Sequence, residues 1–69
     1  MPLTMAKTGE PNSVKKIGGK DEIKQHLKNM GFVVGTPVTV VTKLGGNVIV
    51  NVQESRVAIS RDMANKIMV

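Results

Sequence analysis

His26 is the only histidine in this chain, and Glu22 stands four residues before it with Asp21 alongside. On a helix, residues four apart share a face. An imidazole and a carboxylate so placed can hold one divalent cation between them. A working metal site takes three or four protein donors. The chain has no cysteine and no second histidine to complete one. Glu22 and His26 therefore read either as a weak, open divalent-metal pair or as ordinary solvated helix residues.

Catalysis finds less to work with. The carboxylates are Glu10, Asp21, Glu22, Glu54 and Asp62. Asp21 and Glu22 are adjacent, so on a helix they point about 100° apart and do not form an acid–base pair. No nucleophile lies beside a base in the way a hydrolytic triad requires. Gly18-Gly19 and Gly45-Gly46 lack the lysine and hydroxyl of a phosphate loop. The expectation is a protein that is not an enzyme, takes no small-molecule substrate and requires no cofactor.

What remains is surface for binding. Lys20, Lys24 and Lys28 recur every four residues and form a stripe along one border of a helix. Such a stripe fits the acidic face of a partner; it is also what an ordinary solvated face looks like. Ile49, set among Asn47, Asn51 and Gln53, is an apolar residue on the outer side of a strand, as are Val41 and Met68 outside the inward-facing sets. Outward apolar residues make contact patches, unless other elements cover them.

Length and charge narrow the partners. Sixty-nine residues make one domain, residues 1–69, with a thin core. Without cysteine there is no disulfide framework and no thiolate metal site. Ten Lys and Arg against five Asp and Glu give a net charge of +5, which favours an acidic partner. Phe32 is the only aromatic residue, so no platform exists for stacking bases, and a nucleic-acid partner is disfavoured. No apolar run approaches the ~20 residues of a membrane-spanning helix, and the first residues lack the pattern of a signal peptide. A cytoplasmic protein is expected.

The elements that must position these residues are short. Leu3-Thr4-Met5-Ala6 reads as an edge strand with Leu3 and Met5 inward. Ser13 to Ile17 reads as one bulged strand, ended by Gly18-Gly19. From Asp21 to Met30, Ile23, Leu27 and Met30 make one apolar stripe of a helix. Gly31 then stops it, and Phe32 folds back on Leu27. Val38, Val40, Thr42 and Leu44 alternate inward along a strand, and Gly45-Gly46 turns it into a return strand with Val48, Val50 and Val52 inward. After a turn at Glu54-Ser55, Val57 and Ile59 mark a further strand. Ser60 caps a short helical turn through Ala64, ended by Asn65. Ile67 and Val69 close the chain as a last strand. About five or six short strands with one inserted helix, joined by Gly and Pro turns, make a mainly β small barrel.

This order resembles the FeoA family. The resemblance is carried by Leu3, Gly9, Val14 and Ile17; by the helix end Leu27-Lys28-Asn29-Met30-Gly31-Phe32; by Gly35 and Val38-Thr39-Val40; and by Leu44-Gly45-Gly46, Val57-Ala58-Ile59, Ala64 and Ile67-Met68-Val69. It spans essentially the whole chain, through order and spacing and not through any single motif. Val34 stands where the family usually has proline, and the Glu54-Ser55 turn lacks a common glycine.

The resemblance implies an SH3-like barrel. It also implies a role beside a ferrous iron membrane transporter that carries a cytosolic GTP-binding domain. The barrel is shared with the end of iron-dependent repressors, which implies an alternative: a metal-responsive regulatory module in which Fe2+ or another divalent metal is held at His26 and Glu22. On the first reading Lys20, Lys24, Lys28 and Ile49 are the partner-binding residues. A nucleic-acid-binding barrel is the third reading.

Overall fold

The computed structural model describes residues 1–69 as six strands, one regular helix and two short helical turns. Strands β1 (Pro11–Ser13), β3 (Pro37–Leu44), β4 (Asn47–Val52) and β5 (Ser55–Ser60) form an antiparallel sheet in the order β1-β3-β4-β5. Strands β2 (Lys16–Ile17) and β6 (Ile67–Met68) form a second, two-stranded sheet. Helix α1 (Asp21–Asn29) crosses between β2 and β3, and the short α2 (Arg61–Ala64) links β5 to β6. The six strands and inserted helix agree with the sequence pattern.

Between the sheets lies a core of 14 residues, all apolar. Alternation supplies most of it: Val38 and Val40 from β3, Val48, Val50 and Val52 from β4, and Ile59 from β5 are all buried. Leu27 from α1, Phe32, Ile67 and Val69 close the ends.

The helix ends as its sequence requires. Gly31 has φ +105°, a conformation costly for any residue with a Cβ. This lets the Phe32 N–H donate to the Leu27 carbonyl and the Gly31 N–H to the Lys28 carbonyl, both at 3.0 Å. Two orphan carbonyls of the helix end are thereby satisfied. Phe32 and Leu27 are both buried, so the hydrophobic lock is present.

Several expectations need correcting. Leu3–Met5 is a 3-10 turn, not an edge strand, and Met5 points outward at 69% exposure while Leu3 and Ala6 are buried. The turn's three-residue period buries Leu3 and Ala6, where a two-residue period would bury Leu3 and Met5. Ser13 to Ile17 is not one strand. The chain passes from one sheet to the other at Val14 and Lys15: β1 pairs with β3, and β2 pairs with β6. Val14 stays buried at that switch, its N–H bonded to the Thr36 carbonyl at 3.0 Å and its carbonyl to the Gly35 N–H at 2.8 Å.

Leu44 is not in the inward set; it is 62% exposed. The register of β3 on β4 slips between Val40 and Thr42, leaving Val41 as one extra residue. A bulge of this kind reverses the face of every later side chain. Lys43 therefore stands on the inner side, opposite Val48, and reaches over the barrel end to donate to the Thr4 carbonyl at 2.8 Å. Finally, the second hairpin turns at Gln53-Glu54, one residue earlier than expected, because Val52 pairs with Ser55. Gln53 takes φ +54° there.

Candidate functional site

No side chain capable of chemistry is buried, because every buried residue is apolar. All the candidate functional side chains therefore lie at the surface.

Glu22 and His26 lie one turn apart on α1, and both are exposed. No group of three His, Cys, Asp or Glu side chains is brought together anywhere in the molecule. The barrel therefore brings no third imidazole, thiol or carboxylate to the pair.

Lys20, Lys24 and Lys28 are all exposed. Lys20 lies just outside the helix as its N-cap residue, extended at φ −74°, ψ 159°, and its carbonyl accepts the Lys24 N–H at 3.0 Å. Lys24 and Lys28 follow on the helix proper. At its C-terminal end the helix abuts the β4–β5 hairpin, where the Gln53 side-chain amide donates to the Gly31 carbonyl at 3.4 Å. Lys28 is thus the lysine of the stripe closest in sequence to that junction.

Ile49 lies on the outer face of the four-stranded sheet, as its pattern indicates, and is half-buried. Its cross-strand neighbours are Thr42 and Ala58. The sheet's own side chains thus shield it in part. The bulge adds exposed Leu44 to the same outer face.

Beside this face is an open depression of about 390 Å³ lined by Asn51, Gln53, Glu54, Ser55 and Arg56. Arg56 Nε donates to Asn51 Oδ1 at 3.1 Å, which fixes the guanidinium across β4. Arg56 and Asn51 are not among the residues the sequence singles out. Their only signal is a symmetrical placement about a two-residue turn, and a turn placed one residue too late hides it.

No helix is long and apolar enough to cross a membrane. In architecture the barrel matches, with a TM-score of 0.88 over 97% of this chain and 39% of the other, a manganese-dependent transcriptional repressor at 16% identity. That likeness shows the shared barrel alone. At 26% identity, with a TM-score of 0.85 over 99% of this chain and 87% of the other, it matches Stenotrophomonas maltophilia FeoA solved with zinc. That protein is described as a prokaryotic SH3 domain protein and as a candidate activating factor of ferrous iron transport. A Methanocaldococcus jannaschii protein assigned by name to Fe(2+) transport, as transport protein A, is 41% identical over 68 residues, which is 99% of this chain and 83% of the relative. The FeoA domain profile matches residues 1–69. With its SH3-like barrel and a match over its whole length, the chain belongs to the FeoA family.

Proposed function

We propose that this chain is a cytosolic accessory protein of ferrous iron uptake. It docks on a ferrous iron membrane transporter, at or near that transporter's GTP-binding domain, and adjusts its activity or assembly. The observation that carries this reading is an interior with no polar side chain at all, in a family whose relatives are named for iron transport. A barrel with no interior site acts through its surface. The exposed Lys20, Lys24 and Lys28 and the Ile49 face are the docking residues of this reading. No cofactor is required for it.

The test uses purified transporter in detergent and the purified chain, with and without GTP. Direct binding is expected. Reversing Lys24 and Lys28 to Glu should weaken it about tenfold, because two attractive surface charges become repulsive. Binding that survives the reversal moves the contact to the sheet face. Absence of contact at high micromolar concentration ends the docking reading.

The metal-responsive reading is favoured by the zinc in the S. maltophilia relative. Titrating Fe2+ or Zn2+ anaerobically while following the resonances of His26 and Glu22 decides it. If both stay unchanged, this reading is abandoned.

A further inference from the structure

A sheet in a small barrel has edges, and each edge strand presents unpaired N–H and C=O groups to any extended chain nearby. Natural sheets guard them with shortness, proline, lysine or a bulge. Three of the edges here are guarded. β1 is three residues long and begins with Pro11. β2 and β6 are two residues each; β2 carries Lys16, and Met68 of β6 is further bridged to Pro2.

β5 lacks the shortness, proline, lysine and bulge that guard such edges, and Arg56 is its one charge. It is six residues long, Ser55–Ser60, without proline or lysine. Its register with β4 runs unbroken from Val52↔Ser55 to Asn47↔Ser60, and β4 is its only strand partner.

The side chains say what would fit. Directly opposed residues in neighbouring strands share a face and touch. On the outer face of β5 stand Arg56, Ala58 and Ser60, all exposed. Arg56 is held through its Nε by Asn51 on the β4 side, and its terminal nitrogens have no hydrogen-bond partner. A carboxylate opposite Arg56 completes that row. Ala58 continues the row Thr42–Ile49. Its small side chain leaves Ile49 half-exposed, so an apolar residue opposite Ala58 covers both. Glu54, the only carboxylate of the neighbouring depression, repels a second acid at the turn.

We propose that the free edge of β5 accepts an extended segment of a partner protein as a fifth, antiparallel strand. That segment carries an apolar residue opposite Ala58 and, two residues further on, an acid opposite Arg56. This deepens the docking reading and rests on it. Main-chain pairing supplies affinity, and the two outer rows supply choice. The net charge of +5 draws an acidic segment in.

The probe is a capped peptide, Thr-Ile-Thr-Glu-Thr, at millimolar concentration, read by amide chemical shifts of the isotope-labelled chain. Shifts are expected at Ser55–Ser60 and Asn51. Methylating the peptide's alternate backbone nitrogens should abolish binding for one alternation and spare it for the other, because only one set donates to β5. Replacing the peptide's Glu by Lys should weaken binding roughly five-fold. Arg56→Gln should erase that preference while leaving amide shifts outside β4 and β5 unchanged. Shifts at the α1 lysines instead, no shifts, or equal loss from both methylation patterns would overturn the proposal. Concentration-dependent shifts of β5 without peptide would also overturn it, by giving the edge to a second copy of the chain. The experiment contains no transporter, so a failed peptide alongside successful transporter binding refutes the edge and leaves docking intact.

Discussion

Gly45 and Gly46 form a two-residue turn, yet only Gly45 needs to be glycine: its φ is +56°, and Gly46 has no positive φ. A methyl group added at either position would meet nothing within 4 Å, so backbone strain alone separates them. Gly45→Ala should cost about 1 kcal/mol, lowering the melting temperature by roughly 4–8 °C in a domain this small. Gly46→Ala should stay within about 0.5 kcal/mol. Thermal denaturation of the two variants checks this, and equal effects would refute the assignment. Gly31 is held at φ +105°, and Gly31→Ala should cost about 1–2 kcal/mol by the same measurement. The sequence shows Gly31 and Phe32 in their true roles because a helix stop is a local matter. It does not show which of two adjacent glycines takes the strained position, nor that Gln53 adopts φ +54°, because hairpin register depends on the pairing of whole strands.

Helices and strands are legible where one face of one element decides them. The stripe Ile23, Leu27 and Met30 locates α1, and alternating valines locate β3 and β4. Ser60 reads as a cap, and its Oγ accepts the Met63 N–H at 3.2 Å. Ser60→Ala should therefore cost about 1 kcal/mol, measured by urea denaturation; no loss would mean that packing of buried Ala64 alone holds α2. Elements that exchange partners are not legible. Nothing local distinguishes one bulged strand over Ser13 to Ile17 from two strands in different sheets, since the difference lies in the remote partners, Pro37 for Ser13 and Met68 for Lys16. The candidate site shares this limit. Lys20, Lys24 and Lys28 are exposed, with Lys24 and Lys28 on α1 itself and Lys20 just before it, whereas the Arg56–Asn51 row exists only once β4 and β5 are paired.

Across the whole molecule, stability rests on few residues. A chain of this length has an unfolding free energy of roughly 3–10 kcal/mol. Phe32, 1% exposed, is the largest of its buried side chains. Phe32→Ala should cost about 3–5 kcal/mol, enough to leave a substantial unfolded fraction at 37 °C, visible as lost dispersion of amide resonances. A well-folded variant would mean that the neighbouring valines close the cavity. The two chain ends show the molecule's response to another kind of stress. The Met1 amino group donates to the Val69 carbonyl at 2.9 Å, the Val69 N–H donates to the Met1 carbonyl at 2.7 Å, and Pro2 bridges antiparallel to Met68. Both ends thus leave the barrel side by side, from the same end of one antiparallel pairing. Tension applied between them loads these contacts one after another, as in a zipper, and not all together. Pulled by its ends, the barrel should therefore yield at low force, first parting Met1 from Val69 and then peeling β6 from β2.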